Sequence, residues 1–172
     1  AAGAQVCLVE AGMKLNIAGG QRVRPGDHRS TLTDENGSYA FPDVMADRWK
    51  LVAIHAKGYL EQDEHVHAKS PQAILQPWGT VQGVFRIGSQ PAAKRLLNAS
   101  ARLVSRGYGA PEIRPEFETQ TDEDGRFAIR FVPPGRMLRL GGPVREGNHQ
   151  PLSGVQVGFP IAAGQTLRVS VG

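Results

Sequence analysis

A chain of 172 residues holds one ordinary domain or two small ones. Its 21 glycines and 12 prolines, set among many short apolar runs, mark a turn-rich all-β fold, and no run is long enough to span a membrane. A net charge of +4, scattered without a dense basic block or interleaved aromatics, argues against nucleic acid as a partner, and the single cysteine, Cys7, excludes an intrachain disulfide.

Gln5 to Val9 reads as a strand, with Cys7 a small buried hydrophobe. Glu10 to Asp27 is a polar, Gly-containing connection that holds short strands around Lys14 to Ile17 and Gln21 to Arg24. Arg29 to Thr33 leads into the acidic turn Asp34-Glu35-Asn36-Gly37, which Ser38 to Phe41 answers as a strand before Pro42-Asp43. Arg48 to Ala56 is a longer strand, and Lys57-Gly58-Tyr59 is a turn. Glu64 to Ala68 reads as an exposed strand and Ala73-Ile74-Leu75 as a short apolar one. Gln76-Pro77-Trp78-Gly79 is the best domain boundary, giving domains 1–76 and 77–172.

Past the boundary, Thr80 to Ile87 is a strand and Gly88 to Pro91 a turn. Lys94 to Ala101 is the nearest thing to a helical period, although Ala99 to Val104 also reads as a strand. Ser105 to Pro115 is a protruding loop, and Phe117 to Thr121 enters a second acidic turn, Asp122-Glu123-Asp124-Gly125. Phe127, Ile129 and Phe131 then alternate with Arg126, Ala128 and Arg130, the period of a strand with one wet and one dry face. Pro133-Pro134-Gly135 stops it, and Met137 to Leu140 begins another apolar run. After a loop from Gly141 to Pro151, Leu152 to Phe159 and Thr166 to Val171 close the chain.

The chain repeats itself. Thr33 to Phe41 matches Thr121 to Ile129 at an offset of 88 (121 − 33), and Trp49 to Val52 matches Met137 to Leu140 at the same offset. In both turns Asp34 and Asp122 can accept from nearby N–H groups, and Gly37 and Gly125 can take a positive φ. The copies are unequal. The second has the strand Thr80 to Ile87 ahead of its Ala99 strand, whereas the first begins directly at the equivalent of that later strand. Unpaired N–H and C=O groups should result, to be covered by a preceding segment, by the chain's own loops, or by another molecule.

These residues resemble the carboxypeptidase regulatory-like domains, and the Cna-B type modules similar to them. Val81-Gln82-Gly83-Val84-Phe85, Ala101-Arg102-Leu103, Thr121 to Ile129 and Pro133-Pro134-Gly135 supply the family pattern once. Ala4 to Leu8, Thr33 to Phe41 and Gly58-Tyr59 supply most of it again. The resemblance implies two tandem transthyretin-like (prealbumin-like, Ig-like) antiparallel β-sandwiches, the first lacking its opening strand. It also implies non-catalytic work in adhesion, spacing or enzyme accompaniment, in an extracellular, cell-surface or periplasmic setting. Thr80 to Ile87 contains no lysine, which speaks against the Lys-to-Asn cross-link of some Cna-B modules. Ala1-Ala2-Gly3 is either an end left by processing or the start of an excerpt.

No catalytic constellation is visible: neither G-x-S-x-G nor H-E-x-x-H occurs, and no cofactor is expected. The acidic turns lack the later bidentate Glu of a calcium loop. His65 and His67, with Asp63, fall on one face if the segment is a strand, and are the candidate metal ligands. Tyr108 and Tyr59 are the candidate ligand-binding aromatics, with Trp49 and Trp78 assigned to packing. Asn36-Gly37-Ser38 and Asn98-Ala99-Ser100 fit the glycan acceptor tripeptide. The expected partners are copies of the chain or neighbouring domains. Strand donation into the first domain would build a filament, and the alternative is an accessory carbohydrate- or protein-binding domain of a secreted peptidase or glycoside hydrolase.

Overall fold

The computed structural model describes residues 1–23, 28–42, 48–70, 72–102, 109–141 and 157–172. The elements, in chain order, are β1 (Gln5–Glu10), β2 (Lys14–Ala18), β3 (Gln21–Arg22), β4 (Arg29–Leu32), β5 (Trp49–His55), β6 (Gly58–Asp63), α1 (Glu64–Lys69), β7 (Gly79–Ile87), β8 (Gln90–Pro91), β9 (Leu96–Arg102), β10 (Glu112–Gln120), β11 (Arg126–Val132), β12 (Met137–Gly141), β13 (Val157–Pro160) and β14 (Thr166–Val171). The chain divides into two compact units. Unit 1 is Ala1–Pro77 with Val104–Arg114, and unit 2 is Trp78–Leu103 with Pro115–Gly172.

In unit 2, β11, β7 and β14 form one sheet, while β13, β12, β9 and β10 lie side by side in another. The core is made from both. Val81 and Phe85 of β7 and Phe127 and Ile129 of β11 meet Leu97 and Ala99 of β9 and Leu138 and Leu140 of β12. Along β11 Phe127 and Ile129 are buried while Arg126, Ala128 and Arg130 are exposed, so one face of the sheet is wet. Burying one such aromatic contributes roughly 1.5–3 kcal/mol. A bulge between Ile129 and Val132 breaks the register with β7. Phe131 sits there at φ 58, its ring edge-on to Trp78 at 5.9 Å.

Unit 1 is built around a sheet in the order β4-β1-β5-β6, antiparallel throughout. Val6 and Leu8 of β1, Leu51 and Ala53 of β5 and Leu60 of β6 form a core on one face. The alternate residues, Cys7, Val9, Val52 and Ile54, are buried too. That face is reached by the hairpin β2–β3, whose Arg22 interacts with Cys7 and hydrogen-bonds Ser30 Oγ at 3.0 Å. β2 is flanked in turn by residues from 109–114: Glu112 N donates to Met13 O at 3.0 Å, and Gly12 N to Gly109 O at 2.7 Å. A sheet covered on both faces needs continuous apolar runs, which is what Val6-Cys7-Leu8-Val9 and Leu51-Val52-Ala53-Ile54 supply.

Several expectations fail for identifiable reasons. Glu64 to Ala68 is not a strand but the helix α1; its glutamate opens the first turn, His67 and Lys69 fall in the last, and it buries no residue. The helical period near Lys94 gives way to β9, because β10 and β12 pair with it on both sides. Gly58-Tyr59 opens β6 rather than forming a turn, and the residues Glu112–Arg114 of the expected loop already belong to β10. Of the strand expected over 152–159, only β13 lies within the described residues. The repeat also slides. Gln5 opposes Leu32 as Leu96 opposes Gln120, so the offset is 91 in the first strand (96 − 5) and 88 in the second (120 − 32).

Candidate functional site

The two acidic turns are the same object built twice. Asp34 Oδ1 accepts from Asn36 N at 2.9 Å and Ser38 N at 2.8 Å; Asp122 Oδ1 accepts from Asp124 N at 2.9 Å and Arg126 N at 2.8 Å. Gly37 and Gly125 have φ +81 and +73, where a Cβ would be strained. The threonines before the turns agree as well. Thr33 Oγ1 donates to Ala1 O at 2.6 Å and accepts from Ala4 N at 2.9 Å, whereas Thr121 Oγ1 donates to Ala92 O at 2.5 Å and accepts from Arg95 N at 2.8 Å. Ala1 therefore stands where Ala92 stands.

Beyond the turns the two units differ. In unit 2 Phe127 opposes Gly83 and Ile129 opposes Val81 in antiparallel register, with Val169 and Leu167 of β14 on the other flank of β7. Phe127 and Ile129 are 5% and 3% exposed. Their counterparts Tyr39 and Phe41 pack on the unit 1 core but remain half-buried. Ala73 and Leu75 pack on the same core and are half-buried too. Among the described residues no strand lies between these two segments, and neither Tyr39–Phe41 nor Ala73–Leu75 makes a backbone hydrogen bond. The expected strands at 38–41 and 73–75 are thus extended segments without a ladder: the residues suit a strand, but a strand exists only with a partner. Just beyond, Gln76 and Tyr59 exchange backbone bonds at 2.8 Å each way, which anchors this flank to β6.

The ring of Tyr39 stands edge-on to Phe41 at 6.2 Å and 6.4 Å from the imidazole of His67, which also meets Trp49 at 5.6 Å. Burial pushes the Tyr39 hydroxyl above its ordinary pKa, and its Oη is enclosed with no hydrogen-bond partner. Ile74, between the two inward residues of its segment, is 71% exposed. Tyr39, Phe41, Ala73 and Leu75 together pack on the unit 1 core as half-buried side chains.

The other candidates disperse. In a helix, residues two apart point to different sides, so His65 is exposed while His67 turns to Tyr39 and Trp49. Asp63 pairs instead with Lys50 Nζ at 2.8 Å. Among the described residues no three of His, Cys, Asp and Glu gather as a metal site. Tyr59 is 2% exposed and donates its hydroxyl to Glu61 Oε2 at 2.8 Å, so it cannot stack on a ligand. Glu61 Oε1 also accepts from Lys50 Nζ at 2.8 Å. Burial pulls the Lys50 ammonium down, but Glu61 and Asp63 outweigh it and hold the pKa above its usual value. Tyr108 lies outside the described residues.

No known protein family matches the chain, and no curated protein matches it. Among solved structures, a minor pilin of the Gram-positive pathogen Streptococcus agalactiae aligns with 99% of this chain and 82% of its own, at 12% identity and a TM-score of 0.43. At that level of similarity nothing about the pilin's work transfers to this chain. Among the described residues no helix is long and apolar enough to cross a membrane.

Proposed function

We propose that the chain is a non-catalytic assembly module of a secreted or cell-surface protein, made of two tandem transthyretin-like sandwiches, and that it works by accepting an extended strand into unit 1. The observation that carries this reading is the pair of unladdered segments, Tyr39–Phe41 and Ala73–Leu75, at positions whose equivalents in unit 2 flank β7. Their backbone groups offer ready-made partners to a β-strand, and main-chain bonds supply the affinity in this mode of recognition. If the strand comes from the next copy, the contact is heterologous and open-ended, and copies add head to tail.

Hydrogen exchange of the isolated chain, followed by light scattering and electron microscopy of concentrated samples, tests this. Fast exchange at 39–41 and 73–75, beside slow exchange at 127–129, is the expected result. Slow exchange at 39–41 in a strict monomer would overturn the reading, since the position would then be filled from within.

A further inference from the structure

The sheet β11-β7-β14 of unit 2 turns one face to the core and the other to water. Successive residues of a strand point to opposite faces, so the water side is read from every second residue. It carries Gln82 and Arg86 from β7, Arg126 and Arg130 from β11, and Arg168 and Ser170 from β14, all six exposed. The register joins them into one surface. Gln82 pairs with Ala128 on one side and Arg168 on the other, and Val84 pairs with Arg126 and Ser170. At ordinary strand rise and spacing, Arg126 and Arg130 stand about 14 Å apart along β11, with Arg168 about 12 Å across from Arg126 and Arg86 about 8 Å from it. No run of the sequence shows this set, because three strands distant in the chain contribute to it.

Four guanidinium groups thus share one flat face. Arg126 pairs with Asp124 at the acidic turn, with the two side chains 64% and 66% exposed. An ion pair so open to water is weak and yields to a competing anion. Among the described residues no carboxylate pairs with Arg130 or Arg168. The outer face of the opposite sheet is different in kind, since there β10 exposes Glu116 and Glu118 alongside Arg139 of β12. The positive face calls for an anionic partner. Within 80–86, 126–130 and 166–170 no outward residue is aromatic, so nucleic-acid bases find nothing to stack on. Nor does a large exposed apolar side chain stand there to enter a bilayer. A guanidinium takes a carboxylate through two parallel hydrogen bonds, and the Gln82 amide and Ser170 hydroxyl between the arginines can donate to and accept from sugar hydroxyls. We propose that this face binds an acidic polysaccharide, a chain bearing carboxylates at intervals, laid across the sheet between the β11 arginines and Arg168. The surface belongs to unit 2 and does not depend on strand acceptance by unit 1.

The test uses the whole 172-residue chain and a labelled oligogalacturonate, titrated by fluorescence anisotropy. A neutral dextran oligosaccharide, an oligothymidylate and vesicles of phosphatidylserine with phosphatidylcholine are the comparison probes. Oligogalacturonate should bind, more weakly as salt rises, and should move backbone NMR shifts at 82–86, 126–130 and 166–170. Arg168→Gln should weaken binding at least about fivefold, and the double variant with Arg130→Gln further still. Both positions are exposed, and circular dichroism checks that the variants fold. Arg139→Gln removes the same charge from the opposite sheet and should change binding less than about twofold. Failure of oligogalacturonate to bind, shifts confined to other residues, or equal losses in Arg139→Gln and Arg168→Gln would overturn the proposal. So would equal binding of dextran, since charge would then not be read. Tighter binding of oligothymidylate or of the vesicles would assign the face to nucleic acid or to a membrane and overturn the polysaccharide. None of these results bears on exchange at 39–41, so the strand-accepting reading stands or falls separately.

Discussion

After the acidic turn of unit 2, Phe127 and Ile129 disappear beneath β7; after the matching turn of unit 1, Tyr39 and Phe41 stay half in water. The outer sides differ in the opposite sense. The unit 2 sheet that contains β9 leaves alternate residues such as Asn98 exposed, whereas the unit 1 sheet is buried on both faces, with β2 and β3 over one of them. Unit 1 thus has an added layer where unit 2 has none and an unfinished layer where unit 2 is finished. The added layer supplies apolar burial to a unit whose Tyr39–Phe41 segment carries no ladder.

The sharpest way to break this comparison is to truncate the same position in both units. Phe127→Ala removes a side chain packed in a complete core and should cost unit 2 about 3–5 kcal/mol. Tyr39→Ala removes one that still touches water and should cost unit 1 no more than about half as much. Each unit holds one tryptophan, Trp49 in unit 1 and Trp78 in unit 2, so urea melts of single-tryptophan variants can report the two separately. Equal losses would mean that Tyr39 is as enclosed as Phe127.

Glycine in the turn gives the next largest contrast. Gly125→Ala forces a Cβ at φ +73 to within 2.6 Å of Phe85 O, a carbonyl fixed in β7, and should destabilise unit 2 by about 2–4 kcal/mol. Gly37→Ala incurs the same backbone strain, but the nearest atom is Ala1 N at a looser 2.9 Å. About 1 kcal/mol is expected there. A peptide seated in unit 1 should raise the second figure toward the first.

Much of this contrast is legible in the sequence. The turn motif is local chemistry, so Thr33 to Phe41 and Thr121 to Ile129 declare the same hairpin entry. The unbroken run Val6-Cys7-Leu8-Val9, set against the alternating Leu97-Asn98-Ala99-Ser100 of the equivalent strand, already carries the two-sided burial of unit 1. Other features are not legible. Pairing of β2 with residues near Glu112 spans most of the chain, and Gly109 to Arg114 has no periodicity to announce it. The helix α1 buries no face, so the pattern that usually betrays a helix is missing, and the histidine pair reads on the wrong period. Whether Ser38 to Phe41 becomes a laddered strand depends on a partner, which no property of those four residues determines.

The covered outer face of unit 1 makes a pH prediction. Cys7 is 0% exposed, and burial pushes its thiol up to about 11 against the opposing pull of Arg22. The folded chain therefore keeps a proton that the unfolded chain gives up above its ordinary value of 9.0. Stability of unit 1, read at Trp49, should be flat below pH 9 and fall as pH rises toward 11, with Cys7 contributing a loss of about 2–3 kcal/mol. The window from pH 9 to 10 isolates Cys7, since Tyr39 and Lys50 ionise higher still. In Cys7→Ala the slope in that window should vanish.

The smallest effect is the one in which the units should agree. Asp34→Ala and Asp122→Ala each leave two turn N–H groups without their carboxylate acceptor, at hydrogen-bond lengths that match within 0.1 Å. Both turns lie at the surface, so water replaces much of what is lost, and about 1–2 kcal/mol is expected in each case. The comparison is most informative as a double result. If the aspartate pair gives equal losses while the Tyr39 and Phe127 pair does not, the units share their entry turn and part company only where a strand is present or absent. Unequal aspartate losses would instead place the difference upstream, in how Ala1 and Ala92 are held by Thr33 and Thr121.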